Sequence, residues 1–427
     1  MSRFIIFAIS IFSLINVFIS SVYSQEKSLA DEFEDSYFGI FISPKVFLAK
    51  KREIVIYWNH TNYQQGDKIG LYSEKPGDDV EPIYIFEISF SSGIKKTKIE
   101  ADLIPSRDLK FVKQCLKYHV AWLRSGKIIK ENCLKTEPTW MEDMKCALGN
   151  QSVGNIFIPG THNSAAYETS PSLIEDFFYN KYVITQDEDV LGQLIYGARY
   201  LDIRVCYRPN RKIKWWGCHE LDTVPLQTII NDVKIFLNNT NEIVIFDVQE
   251  FSSEFAEDPR AHEKLIHFLK NEFKDYIIPY VGWYQSLNAI WSQEKKKNLI
   301  IGYDDSRYIF KHLFLWPSVT HQWGNVQSVD DLYKYLQRIE EQALSLTRTI
   351  PRSAMAQMTP NTKYIFNNLF GGIRRMAEVT NPKITGWYNG MWQHSANIVS
   401  VDFIKYSGIV DVALKWNSKR FNNTCLR

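Results

Sequence analysis

The rhythm of apolar and polar positions changes once along this chain. From about Phe41 to Leu134, apolar residues alternate with polar ones in short runs: Glu53 to Trp58, Lys68 to Tyr72, Pro82 to Phe90 and Lys117 to Leu123. Clusters of turn formers such as Lys75-Pro76-Gly77-Asp78-Asp79 separate them. A period of two broken by turns predicts an antiparallel β-sandwich of immunoglobulin-like size. After Glu137-Pro138-Thr139 the text changes. Met141 to Leu148 reads as a short helix, and five strand-length apolar runs follow: Asn155 to Ile158, Tyr200 to Val205, Ile243 to Val248, Asn298 to Tyr303 and Ile398 to Phe403. Stretches of helical period lie between them: Ser172 to Tyr179, Asp189 to Tyr196, Leu226 to Leu237, Ala261 to Phe273, Val329 to Leu346 and Asn361 to Glu378. Strands alternating with helices predict parallel βα units and an α/β fold, either an open doubly wound sheet or a (β/α) barrel. The barrel is favoured because the chemically loaded residues sit at the ends of the first, second and last strands, which closure brings together.

Length and charge sharpen this picture. At 427 residues the chain exceeds what one core usually serves, in keeping with two domains, 25–140 and 141–427. Its 50 Lys+Arg against 48 Asp+Glu leave no basic excess, so nucleic acid is not an expected partner. Residues 1–24 carry Arg3, an apolar run from Phe4 to Ile19 and small or polar residues ending Val22-Tyr23-Ser24. That is the order of a secretory signal peptide, and the run is short for a membrane span. Asn-X-Ser/Thr acceptors at Asn59, Asn150, Asn238 and Asn422 agree with a secreted glycoprotein, as does an even set of six cysteines. Their spacing suggests bridges Cys115 with Cys133, Cys206 with Cys218, and Cys146 with Cys425.

The candidate chemistry lies in the second region. A lone histidine is usually structural, but His162 follows Pro159-Gly160 directly after a strand, where the loop meets ligand rather than core. Asp202 and Arg204 stand two apart on a β-run, so they share a face while Leu201, Ile203 and Val205 take the other. A structural ion pair is the plain alternative to a phosphate-holding Arg204. His219 closes Trp215-Trp216-Gly217-Cys218-His219, and a Cys206–Cys218 bridge would swing it back over Arg204. Asp402 on the last strand needs a partner if buried, and His162 on the first is the expected one. Two histidines facing one phosphate supply an acid and a base. Trp283, Trp316, Trp323, Trp387 and Trp392 are candidate lip aromatics for an interface or the pocket, with Trp323 in the candidate pocket wall His321-Gln322-Trp323-Gly324-Asn325, although core packing is the commoner role for any one of them.

These segments, IPGTHNSA (158 to 165), GARYLDIR (197 to 204), His219 and EIVIFDVQ (242 to 249), together resemble the X domain of phosphatidylinositol-specific phospholipase C over roughly 145 to 420. The likeness is to the bacterial enzymes and to the animal X-domain-containing proteins. It implies a TIM-type barrel that transfers the phosphoryl group to the inositol 2-hydroxyl and releases diacylglycerol. It further implies His162 as general base, His219 as general acid and Asp402 as partner of the base. Arg204 matches the arginine of the bacterial enzymes, where calcium-dependent relatives carry a metal-binding carboxylate. A metal-independent reaction without cofactor is therefore expected, on a phosphatidylinositol or glycosylphosphatidylinositol lipid at a membrane surface. Asn163 and Gln249 fall at substrate-contacting positions but replace an aspartate and a lysine of the bacterial enzymes. Two rivals share the pattern: an inactive barrel that only binds an inositol phosphate or lipid headgroup, and a metal-dependent phosphodiesterase. The second needs a carboxylate cluster, for which Asp187, Glu188 and Asp189 are nearest, although such a run is more often a solvated loop.

Overall fold

The computed structural model describes residues 36–44, 52–59, 63–77, 79–102, 104–168, 180–292, 298–344, 350–368 and 371–421. The expected signal peptide, the helix Ser172 to Tyr179, the acceptor Asn422 and the bridge ending on Cys425 fall outside these residues. The alternating region forms β1 (Tyr37–Ile42), β2 (Glu53–Asn59), β3 (Lys68–Tyr72), β4 (Tyr84–Glu87), β5 (Ser92–Glu100), β6 (Gln114–Arg124) and β7 (Lys127–Thr136). They pair antiparallel in two sheets, β1-β2-β5 and β4-β3-β6-β7. Phe38, Ile40, Ile54 and Ile56 of one sheet meet Ile69, Leu71, Val120 and Trp122 of the other in a shared core. Cys115–Cys133 staples β6 to β7 with Cα atoms 5.6 Å apart.

β1 does not alternate, because both its faces are covered. Tyr37 and Phe41 point away from the sandwich into a second cluster with Tyr406 and Ile409. A strand buried on both sides reads as a continuous apolar run, which is why the sequence pattern marks only its end.

The second region folds as an α/β barrel whose parallel segments run in the order β14-β13-β12-β9-β8-β17-β16-β15. These are β8 (Ile158–Thr161), β9 (Tyr200–Tyr207), β12 (Val244–Phe251), β13 (Leu299–Tyr303), β14 (Leu315–Pro317), β15 (Thr320–Gln322), β16 (Arg352–Met355) and β17 (Ile398–Val401); a hairpin of β10 (Trp215–His219) and β11 (Leu221–Pro225) hangs on β9. The main outer helices are α1 (Val190–Ile195), α2 (Leu226–Asn239), α3 (Ala261–Phe273), α4 (Val329–Leu344), α5 (Thr362–Asn367), α6 (Ile373–Asn389) and α7 (Ile409–Phe421). Tyr200, Ile245, Ile300 and Ile398 fill the inside, while Leu201, Ile203 and Val205 of β9 pack outward on α2. The outward–inward alternation expected on β9 is present.

Three expectations change. The first barrel strand begins at Ile158 rather than Asn155 and runs through Pro159-Gly160 instead of turning there. Parallel pairing on both sides, Gly160 with Ser400 and with Tyr200, makes this strand, and only glycine fits because a Cβ would lie 2.6 Å from the Ser400 hydroxyl. The single helix Asn361 to Glu378 is instead α5 and α6, broken at Gly372 with φ 133°, a conformation open to glycine. The (β/α) repeat is also incomplete, since two residues connect β14 to β15. Side-by-side parallel strands need a much longer crossover. The two are therefore successive lengths of one run that pairs first with β13 and then with β16.

Candidate active site

β8, β9 and β17 lie side by side, so their C-terminal ends deliver His162, Arg204 and Asp402 to one place. His162 Nδ1 is 2.7 Å from Asp402 Oδ1, and its Nε2 is 3.0 Å from Arg204 Nη2. Guanidinium only donates, so Nε2 accepts and the ring's proton sits on Nδ1, facing Asp402. Burial raises the Asp402 carboxyl above its ordinary range, against the pull of His162 and Arg204. Asp202 is also buried, but Arg204, with Nη2 3.9 Å away, and the two nearby imidazoles of His321 and His162 keep it below its ordinary value. Its Oδ2 accepts the Asn163 N–H at 2.9 Å.

His219 reaches the site from the hairpin. Cys206–Cys218 joins β9 to β10, Cα atoms 5.8 Å apart, between Arg204 and His219. Gly217 lets β10 lie against the 162–165 turn, where a Cβ would meet that of Ala165 at 2.5 Å. The His219 ring stands edge-on to His162 with centroids 6.0 Å apart, and its Nδ1–H donates to the Val183 carbonyl at 2.8 Å, leaving Nε2 for the cleft. Burial, Arg204 and His162 depress its pKa to about 3.

His162, Asp202, Arg204, His219 and Asp402 thus line one cavity of about 1180 Å³, together with Gln249, Glu250, His321 and Trp323. Trp323 stands half exposed at the mouth, its indole N–H bonded to Thr359. Trp283, Trp316 and Trp392 are core. Asn163 does not reach the cavity lining. It is fully buried behind His162 at φ 41°, and neither amide atom has a partner among the described residues. Gln249 turns its amide N–H onto Asp247 at 2.6 Å and the Val319 carbonyl at 2.8 Å.

Sequence reasoning passed over a polar chain in the cavity wall. The Tyr200 hydroxyl donates to Asp247 at 2.9 Å and meets His321 Nε2 at 2.6 Å. Burial lifts Asp247 to about 7, although Gln249, Tyr200 and Val319 all donate to it. The signal was present, because Tyr200 shares the inward face of Asp202 and Arg204. The run Asp187-Glu188-Asp189 is also not a solvated loop. Asp189 caps α1 through Gly192 N–H at 2.8 Å, and its neighbours are tied up in ion pairs.

No family model matches the chain. Among curated proteins it is similar to human PI-PLC X domain-containing protein 1, 24% identical over 323 residues, which span 69% of this chain and 97% of that one. Mouse PI-PLC X domain-containing protein 2 is 26% identical over 332 residues, 69% of this chain and 94% of its own. The chain is thus similar to the PI-PLC X domain-containing proteins. Among solved structures, the phosphatidylinositol-specific phospholipase C of Staphylococcus aureus, seen as a point mutant, superposes over 66% of this chain and 97% of its own with a TM-score of 0.52 at 16% identity. That likeness is one of fold. About a third of the chain lies outside each of these matches.

Proposed function

We propose that the protein is a phosphoric diester-cleaving phospholipase C acting on phosphatidylinositol or a glycosylphosphatidylinositol lipid at a membrane surface outside the cytosol. The observation that carries this reading is the arrangement of His162 and His219 on one cleft, with Arg204 between them and Asp402 behind the first. The substrate phosphate takes the Arg204 guanidinium, which frees His162 Nε2. His162 Nε2 then removes the proton of the inositol 2-hydroxyl, whose oxygen attacks phosphorus. The bond from phosphorus to the glycerol oxygen breaks, and His219 Nε2 gives that oxygen a proton. Asp402 stabilises the imidazolium that forms on His162. Burial is the larger cause of the His219 depression; the anionic diester offsets the share due to Arg204 and His162 and so favours the charged acid.

Calcium does not fit this wall. A hard divalent cation takes six or more oxygens, whereas the Arg204 guanidinium stands 3.9 Å from Asp202, and Asn163 lies buried outside the cavity lining. Among the described residues, the group spaced to hold a metal is Cys115, His119 and Cys133, whose sulfurs are joined to each other. Charge also narrows the headgroup. Arg204 is the one Lys or Arg among the described lining residues, against Asp202, Glu220, Glu250 and Asp402. That balance suits a single phosphodiester with an uncharged sugar and opposes headgroups bearing further phosphates. For the address outside the cytosol, the supports are the two disulfides and the exposed acceptors Asn150 and Asn238. No helix among the described residues is long and apolar enough to cross a membrane.

The test is release of cyclic inositol phosphate from phosphatidylinositol vesicles by purified protein, followed by phosphorus NMR with chelator or calcium. His162→Ala and His219→Ala should each lose about 100- to 10,000-fold in kcat, chelator should change nothing, and bisphosphorylated lipid should be a poor substrate. Absence of turnover on every lipid, with and without calcium, leaves the barrel as a headgroup-binding protein and ends the enzyme reading.

A further inference from the structure

Residues 183–186 run behind the site and touch it at several points. The Val183 carbonyl holds His219 Nδ1–H. Thr185 donates its hydroxyl to the Asn163 carbonyl at 2.9 Å and accepts Phe403 N–H at 2.8 Å. The Gln186 amide donates to the carbonyls of His162, 3.1 Å, and Val401, 2.9 Å, and accepts Ile404 N–H at 3.2 Å. This short length of chain therefore supports both imidazoles and both ends of the turn that carries Asp402.

What fixes the segment comes next in sequence. The carboxylates of Asp187 and Glu188 are nearly buried and meet three cations. Arg374 pairs with Asp187, Lys405 Nζ lies 3.4 Å from Glu188, and Arg52 pairs with Glu188 through Nη1 while Nη2 sits 3.7 Å from Asp187. Arg52 is the member that belongs to the β-sandwich. It is 3% exposed, its carbonyl accepts Ala101 N–H at 2.7 Å, and its Nε donates to the Ser43 carbonyl at 3.2 Å. Burial alone would raise Glu188, yet Lys405 and Arg52 hold it below its ordinary range. Removing one partner of such a buried set is costly because the remaining charges lose their compensation. The plain reading is a docking clamp between two packed units. It accounts for the ion pairs but not for their attachment to the segment that holds His162 and His219.

We propose that Arg52 is a positioning residue: by gripping Asp187 and Glu188 it holds residues 183–186 against the backs of His162 and His219, so the β-sandwich sets the alignment of the acid and the base. The proposal rests on the acid–base reading of the site. It gives the N-terminal unit a part in catalysis without any contact to substrate.

The test uses the full chain as wild type, Arg52→Ala, Arg52→Lys and Glu188→Gln, with Arg124→Ala as control because its partner Asp67 lies within the sandwich. Arg52→Ala should lower kcat on phosphatidylinositol vesicles about 10- to 100-fold, the scale of an ångström's misplacement, with KM within about twofold. Arg52→Lys should recover part of that loss. Amide hydrogen exchange of residues 183–188 should quicken, and the His219 side chain, followed by nitrogen NMR, should titrate at higher pH than in wild type. Arg124→Ala should leave all of these unchanged even where it lowers Tm. Should Arg52→Ala fail to fold, Glu188→Gln carries the same expectations without a change of size. Unaltered exchange and an unaltered His219 titration in the folded variants overturn the proposal, as does an equal loss in Arg124→Ala. A wild type without turnover sinks the phospholipase reading, while the exchange and NMR readouts still decide this one.

Discussion

Arg204 is not free in this structure: Nη1 makes an ion pair at 3.0 Å with Glu250, which is 63% exposed. An exposed partner of this kind holds weakly, and under the proposed reaction it would compete with the substrate phosphate for the same guanidinium. Glu250→Gln should raise kcat/KM a few-fold, mostly through KM, and flatten its dependence on salt; an unchanged or lower kcat/KM removes Glu250 from that role. Two buried groups give opposite pH signatures. His219 falls from 6.5 to about 3 on folding, so the stability gained by keeping it neutral is present above pH 6.5 and is lost as pH drops toward 3. His219→Gln should show a smaller fall in denaturant midpoint between pH 7 and pH 4 than wild type does. Asp247 rises from 3.8 to about 7, so its contribution is complete below pH 3.8 and declines as pH rises to 7. The stability gap between wild type and Asp247→Asn should shrink across that interval, as equilibrium denaturation at several pH values would record. His162, Asp202, Arg204 and Asp402 were legible in the sequence because each lies on or just past a recognisable strand, and His219 because it closes the run Trp215 to Cys218 beside an expected bridge. Val183 and Gln186 were not, since one acts through its carbonyl and the other through an amide bonded to backbone, and neither use leaves a mark on residue type.

At the scale of elements, the β9–β10 hairpin governs the site. Arg204 and His219 flank the Cys206–Cys218 bridge, so their separation is set by two strands and a staple rather than by loop packing. Gly217→Ala pushes a methyl into Ala165 and should cost about 1–3 kcal/mol, with kcat falling more than KM because His219 is displaced. A calorimetric Tm and a kinetic run on the same preparation check both halves; a lower Tm with unchanged kcat would show that the hairpin can shift without moving the acid. Strand existence was readable from the sequence wherever one face was wet or where an apolar run stood between turns. It failed at β1, apolar on both faces, at β5, whose charged text SGIKKTKIE hides a strand, at β7, and at the three- and four-residue barrel strands β15 and β16. Boundaries failed at Pro159-Gly160 because partners on both sides overrode a local turn signal.

At the scale of the molecule, the sandwich and the barrel share a core. Tyr37, Phe41 and Val55 pack with Ile384, Tyr406 and Ile409, and Tyr37 and Lys135 both bond Asp411. Residues 141–427 expressed alone should melt below the full chain and bind a hydrophobic dye, because that face would be bare; equal Tm values would show two independent units. The sequence suggested a boundary near 140, yet it could not disclose this contact, since apolar residues that meet across units look the same as those that meet within one.

The run from Leu315 to Gln322 has a consequence for the barrel as a ring. Between its two paired halves stand Ser318 and Val319, and the backbone of Val319 is tied not to a neighbouring strand but to side chains: its N–H to Asp247 at 3.1 Å and its carbonyl to Gln249 at 2.8 Å. One rung of the ladder is thus made of a carboxyl and an amide, and that carboxyl titrates near neutrality. The ring has a clasp, set beside the cleft and made of side chains rather than of backbone.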